Sequence, residues 1–115
     1  MKVIKKAKNS VSREDAHGGA GGRKLFVSED EIKNFHGQTY GYLPAGKKFA
    51  LHSHEGLNET MLVIKGRGIV RDSDGEYSYE DGDFFVFPNN VVHEIENLSN
   101  YENEMVFVRV KIQTY

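Results

Sequence analysis

Residues 46–66 read GKKFALHSHEGLNETMLVIKG. A strand is expected over 48–54, ending at His54, and another over 59–65, closed by Gly66. Short runs of β formers separated by turn residues are the pattern of an antiparallel sheet. His52 and His54 stand at i and i+2, so alternation puts both on one face with Cα atoms about 6–7 Å apart. Glu59 opens the second strand on the same face as Met61 and Val63. His93 begins a third strand whose face-mates are Val91 and Ile95, so its ring projects into an oily interior. Three imidazoles and one carboxylate then meet in one cavity, a mixed nitrogen and oxygen set of the kind that holds first-row divalent metals. Each residue alone reads more plainly, a histidine as a hydrogen-bonded core residue and Glu59 as a strand-end surface acid. Buried together without a cation, the four would carry a heavy desolvation cost.

Outward from this stretch the β pattern continues. Residues 37–43 (GQTYGYL), 67–72, 84–87 (FFVF), 91–97 and 104–113 read as further strands, and Pro44-Ala45-Gly46, Asp81-Gly82 and Pro88-Asn89-Asn90 read as turns. Asp74-Gly75 carries a hairpin signal of the type that needs positive φ. Many short strands at this spacing argue for an all-β sandwich or barrel. Only 28–35 (SEDEIKNF) looks helical, with Ser28 and Glu31 spaced as a capping box, which allows one short helix at most.

Composition sets the bounds. The 115 residues suit one small domain with 38% hydrophobic and 28% charged side chains. No apolar run is long enough to span a bilayer, and MKVIKKAKNS lacks a signal-like apolar region, so a cytoplasmic protein without membrane partners is expected. The absence of cysteine excludes disulfides, thiolate metal sites and thiol nucleophiles. Residues 1–24 carry net +5 and residues 25–115 carry net −7. The expected organisation is a basic, glycine-containing arm over 1–24 and a single barrel over 25–115, with the run Gly18-Gly19-Ala20-Gly21-Gly22 as the flexible junction. The arm lacks interleaved aromatics and the body lacks a basic groove, so no nucleic-acid partner is expected.

The spacing Gly46-x5-His52-x-His54-x4-Glu59-x6-Gly66 resembles the first motif of the cupin superfamily, and Gly82-x5-Pro88-x-Asn90-x2-His93-x3-Asn97 resembles the second. Fifteen residues separate them. Asn90 stands where the family usually has glycine, at a turn with positive φ that asparagine tolerates. The resemblance implies a cupin-type antiparallel β-barrel, the double-stranded β-helix or jelly roll. It also implies one divalent transition metal (Mn, Fe, Ni, Co or Zn) held by His52, His54, Glu59 and His93. Ala16-His17-Gly18-Gly19 looks like a lead-in of some small cupins. The superfamily spans enzymes, sensors and storage proteins, so the fold leaves the activity open.

Three neutral imidazoles and one carboxylate leave a bound dication with net charge near +1. A six-coordinate ion keeps two positions open, which suits a chelating hydroxy acid, keto acid or enediol. Side-chain parity suggests a pocket lined by Gln38, Met61, Phe87 and Phe107, with Tyr40, Tyr42 and Arg109 as candidates to bind a carboxylate or donate a proton. His17 and His36 are expected to be exposed, although a glycine-flexed arm could fold His17 over the barrel mouth. The expected function is a metal-dependent cupin enzyme acting on a small oxygen-rich molecule, such as a hydroxy or keto acid or a sugar derivative, by isomerase, epimerase, decarboxylase or dioxygenase chemistry. The alternative is a non-catalytic metal- or ligand-binding sensor or accessory module. The rows Leu62/Ile64 and Val106/Val108/Val110/Ile112 hold more apolar side chains than one small interior needs, which points to a homodimer.

Overall fold

A computed structural model describes residues 2–28, 31–53 and 55–112. The strands are β1 (Glu14–Ala16), β2 (Gly21–Ser28), β3 (Phe35–Leu43), β4 (Lys48–His52), β5 (Leu57–Lys65), β6 (Gly68–Asp72), β7 (Gly75–Tyr79), β8 (Phe84–Phe87), β9 (His93–Asn97) and β10 (Asn103–Lys111). They form a six-stranded sheet ordered β1-β2-β3-β10-β5-β8 and a four-stranded sheet ordered β4-β9-β6-β7. Every pairing is antiparallel. Because the chain passes between the sheets, the pairs β3-β10, β10-β5, β5-β8, β4-β9 and β9-β6 join strands distant in sequence, as in a jelly roll.

Alternation decides what each strand buries. On β5 the inward residues are Glu59, Met61 and Val63; on β9 they are His93, Ile95 and Asn97; on β10 they are Asn103, Met105 and Phe107. Leu43, Phe49, Val70, Tyr79 and Phe87 complete the apolar core. The β3 register sets Thr39 opposite Phe107 and Gly41 opposite Met105. The inward face of β3 is therefore Thr39, Gly41 and Leu43, while Tyr40 and Tyr42 lie on the other face. There Lys8 sits 4.3 Å over the Tyr40 ring and Arg13 sits 3.9 Å over the Tyr42 ring.

Several local expectations change. The two-residue loop between β6 and β7 is Ser73-Asp74, because Asp72 pairs with Gly75. The Asp72 carboxylate accepts from the Asp74 and Gly75 backbone N–H groups. This side-chain turn closes the hairpin, and Gly75 is not at positive φ. The Ser28–Glu31 contact forms, with the Ser28 backbone N–H donating to Glu31 Oε1 at 3.1 Å. Residues 31–34 nevertheless make turns rather than a helix, and Asn34 at φ 65° redirects the chain into β3. Residues 29 and 30 lie outside the described residues. Residues 14–24, expected within a basic arm, are largely engaged in the six-stranded sheet: β1 pairs with β2 through Glu14↔Arg23 and Ala16↔Gly21, and β2 runs through residue 24. Asn90 has φ 66°, the left-handed turn expected where it replaces glycine.

A buried polar knot joins the loop before β10 to both sheets. Asn97 donates to the Leu43 and Tyr101 carbonyls at 2.9 and 2.7 Å and accepts from the Ser99 N–H and hydroxyl at 2.8 and 2.6 Å. Asn103 donates to the Tyr79 hydroxyl at 2.6 Å and to the Arg67 carbonyl at 3.2 Å. Burial pushes the Tyr79 hydroxyl up to about 12, against the opposing effect of the Asn103 hydrogen bond. A Cβ on Gly66 would overlap the Asn103 side chain, so only glycine fits beneath the knot. Asn97→Ala strands several buried groups at once. It is expected to lower the unfolding free energy by about 2–3 kcal/mol at unchanged m-value in urea denaturation. A loss within about 0.5 kcal/mol, the ordinary range of a surface change, would show that the knot is not a structural anchor.

Candidate metal centre

The β4–β9 pairing places His52 beside His93, with ring centroids 4.4 Å apart. Glu59 reaches them from the facing sheet, its Oε1 3.6 Å from His93 Nε2. One ligand atom from each of His52, Glu59 and His93 lies within 4.8 Å of the other two, a cluster able to hold a metal ion. His54 lies outside the described residues.

The local chain orients these rings. His52 Nδ1 is 2.7 Å from the Ala50 carbonyl and His93 Nδ1 is 3.0 Å from the Val91 carbonyl. A carbonyl only accepts, so each Nδ1 carries the hydrogen, and Nε2 is the ring nitrogen that a metal would use. His93 Nε2 and Glu59 Oε1 thus face each other in a buried setting. Two imidazole nitrogens and a carboxylate oxygen converging in this way form a mixed donor set that suits a divalent ion. Phe87 stacks on the far side of His93 at 3.9 Å and 4°, which holds the ring plane. Glu59 is shared: Arg109 Nη1 lies 3.3 Å from its Oε2, leaving Oε1 on the His93 side. Arg109 thereby compensates a carboxylate that is 3% exposed.

Two members of the cluster, His52 and Glu59, line a cavity of ≈ 580 Å³, while His93 lines a smaller one. Of the residues expected to line a pocket, Phe107 does so. Gln38 does not, because the β3 register turns Thr39 and Gly41 inward. Met61 is fully buried in the core, and Phe87 faces a second, smaller cavity on the other side of His93. Among the three candidate polar residues, Arg109 is at the wall, whereas Tyr40 and Tyr42 lie beneath Lys8 and Arg13 on the outer face. His36 is half-buried and lines the cavity instead of standing in solvent. His17 is exposed, as expected, and lies at the mouth, where its ring stacks on Phe49 at 4.4 Å and meets His52 at 4.7 Å. Sequence reasoning missed Thr39 and Gly41. The available signal was Gly37 and Gly41 four apart in a strand, since strand glycines mark a close approach and so the inward face. A Cβ on Gly41 would strike the Phe107 ring.

A family model described as a cupin domain matches residues 39–109. The chain belongs to the cupin domain family. Among curated relatives, this cupin is 32% identical over 66 residues to an oxalate-binding protein of Thermotoga maritima, covering 57% of this chain and 54% of that protein. It is also 31% identical over 58 residues to an uncharacterised protein of Methanocaldococcus jannaschii, covering 50% and 46%. The chain thus spans about half the length of the curated relatives it matches. Among solved structures, a predicted oxalate decarboxylase from Thermotoga maritima superposes with TM-score 0.87 at 21% identity, covering 95% of this chain and all of that one. A sugar phosphate isomerase of the cupin superfamily from Silicibacter pomeroyi superposes with TM-score 0.80 at 19% identity, covering 95% and 76%. At these identities the likeness establishes the fold. No helix among the described residues is long and apolar enough to cross a membrane.

Loss of an orienting partner around a metal typically costs 10–100-fold in affinity. Removing a ligand atom itself should cost at least as much, so Glu59→Gln and His93→Ala are each expected to weaken Mn(II) binding by about 100-fold or more. Calorimetric titration of the untagged protein checks this, and wild-type affinity in both variants would refute the cluster.

Proposed function

We propose that this cupin binds one divalent transition metal through His52, His54, Glu59 and His93 and acts on a small, chelating, carboxylate-bearing molecule of the hydroxy- or keto-acid class. The observation that carries this reading is a buried imidazole–carboxylate cluster, two of whose members, His52 and Glu59, line a cavity whose wall also holds Arg109. A dication bound there supplies Lewis-acid polarisation of a ligand oxygen and an anchor for chelation. The chain's own part is positional. The carbonyls of Ala50 and Val91 orient two rings, Arg109 holds one oxygen of Glu59, and Phe49 and Phe107 give the cavity apolar walls. Arg109 also carries further N–H donors that can meet an acid group, because a guanidinium offers five. The name of the Thermotoga relative, an oxalate-binding protein, supports the same ligand class.

Catalysis is one form of this reading and ligand binding without turnover is the other. The second is favoured by Glu94, the acid next to His93, which is engaged on the outer face with Arg71 and Lys48 and so is turned away from the cavity. Loading with Mn(II), Fe(II), Ni(II), Co(II) or Zn(II), followed by titration and product analysis with oxalate, glycolate, pyruvate and tartrate, separates the two. The expected result is metal-dependent binding of at least one acid, with a melting temperature that rises on metal loading and falls with a chelator. Conversion makes the protein an enzyme, and binding alone makes it a sensor or accessory module. No metal-dependent binding of any acid rejects both.

We further propose a homodimer acting in the cytoplasm. On the outer face of the six-stranded sheet the register aligns Tyr40, Val106, Leu62 and Phe84 in one row. Phe84 and Val86 on the edge strand are 58% and 60% exposed. Such a row on an open edge calls for cover. Sedimentation at micromolar concentration is expected to show a species of twice 13.0 kDa, and a monomer alone contradicts it.

A further inference from the structure

Nearly half of the cavity wall comes from residues 15–28, which precede the segment that the cupin domain family shares with this chain, residues 39–109. The ion-holding cluster and the wall facing it therefore belong to different parts of the chain. The β1–β2 hairpin is pressed onto the barrel. A Cβ on Gly21 would overlap both the Tyr42 carbonyl and the Phe49 ring, so only glycine permits this approach. Its tip, His17–Gly19, runs through three successive left-handed conformations, at φ 52°, 67° and 92°. Glycine takes such values freely, whereas histidine does so at a cost. At His17 the fold retains an unfavourable backbone at an exposed position. It does so with the ring stacked on Phe49 and turned against His52 at the cavity mouth. Strain of this kind, held by specific packing beside a site, is a mark of function. His17 is not part of the set that can share one ion, which among the described residues consists of His52, Glu59 and His93.

We propose that the β1–β2 hairpin is the ligand-recognition wall of the metal site and that His17 contacts the bound molecule directly, donating an imidazole N–H to one of its oxygens. This rests on the metal-and-acid reading above and adds to it the residue that selects the ligand. An imidazole carries at least one N–H whether neutral or protonated, so the contact requires no change of charge. Metal affinity and ligand affinity then depend on different residues. The His17 strained turn belongs to ligand selection, and the barrel cluster belongs to the ion.

The experiment uses the full chain loaded with Mn(II), with calorimetric titration of the metal and then of oxalate and tartrate. His17→Ala is expected to bind Mn(II) within about twofold of wild type and to bind at least one acid about tenfold more weakly, the size of one lost hydrogen bond. His17→Asn keeps an N–H donor and tolerates the left-handed backbone, so its acid affinity stays within about threefold of wild type. His17→Gly relieves the backbone and serves as the folding control. It is expected to melt no lower than His17→Ala while sharing its weak acid binding. Unchanged acid affinity in both the Ala and Gly variants overturns the proposal. So does a tenfold loss of Mn(II) affinity in His17→Ala, which would make His17 a ligand to the ion. A wild-type protein that takes up Mn(II) but binds neither acid would instead fail the underlying reading, and this proposal with it.

Discussion

A buried carboxylate set against a buried imidazole is the constraint around which this barrel is arranged. Glu59 and His93 come from opposite sheets, and both are almost fully shielded from water. Bringing such groups out of solvent is costly unless each meets a partner. Arg109 meets one oxygen of Glu59, the Val91 carbonyl meets Nδ1 of His93, and the remaining oxygen and nitrogen face each other across 3.6 Å. The antiparallel register imposes this meeting. β10 runs between β3 and β5 and sets Arg109 opposite Glu59, while β9 pairs with β4 and sets His93 opposite His52. A slip of one residue in either pairing would turn the polar groups out to solvent and the outer apolar rows inward.

The barrel and three of the four residues of the candidate metal cluster were legible because both depend on period-two alternation and fixed spacings. On β5, β9 and β10 the alternation is strong, and the inward residues follow directly from it. β3 was not legible in the same way. Its tyrosines carry the larger apolar area and so mimic a core face, yet the register gives the interior to Thr39 and Gly41, because the Phe107 ring occupies the space where side chains would otherwise stand. The tyrosines are covered from outside by Lys8 and Arg13, a contact between residues more than 25 apart that no local pattern encodes. The hairpin over 14–28 was obscured for a similar reason. Its glycines read as flexibility, whereas Gly21 is there for close approach.

With no cysteine to cross-link the chain, a domain of this size relies on packing and on polar groups that fasten loops to the core. Asn97 and Asn103 supply such fastening. Each spends its amide on backbone or hydroxyl partners from several elements, which rigidifies the end of the barrel at the far end of β9 from His93. The end that holds the His52–Glu59–His93 cluster is fastened differently, by ring stacking on Phe87 and by the ion pair of Arg109 with Glu59.

The hairpin is joined to the barrel by the β2–β3 ladder, whereas the residues before it are held largely by charges near water. Lys8 reaches Glu104 at 3.3 Å, Arg13 reaches Glu102 at 2.6 Å, and Lys6 reaches Glu31 at 2.7 Å. Exposed pairs of this kind weaken as ionic strength rises, while apolar packing does not. The cavity walls therefore hang from the sheet and the core, and the segment before the hairpin hangs from an electrostatic clasp that dissolved salt can loosen. The site and the segment that precedes its wall thus answer to different properties of the surrounding solution.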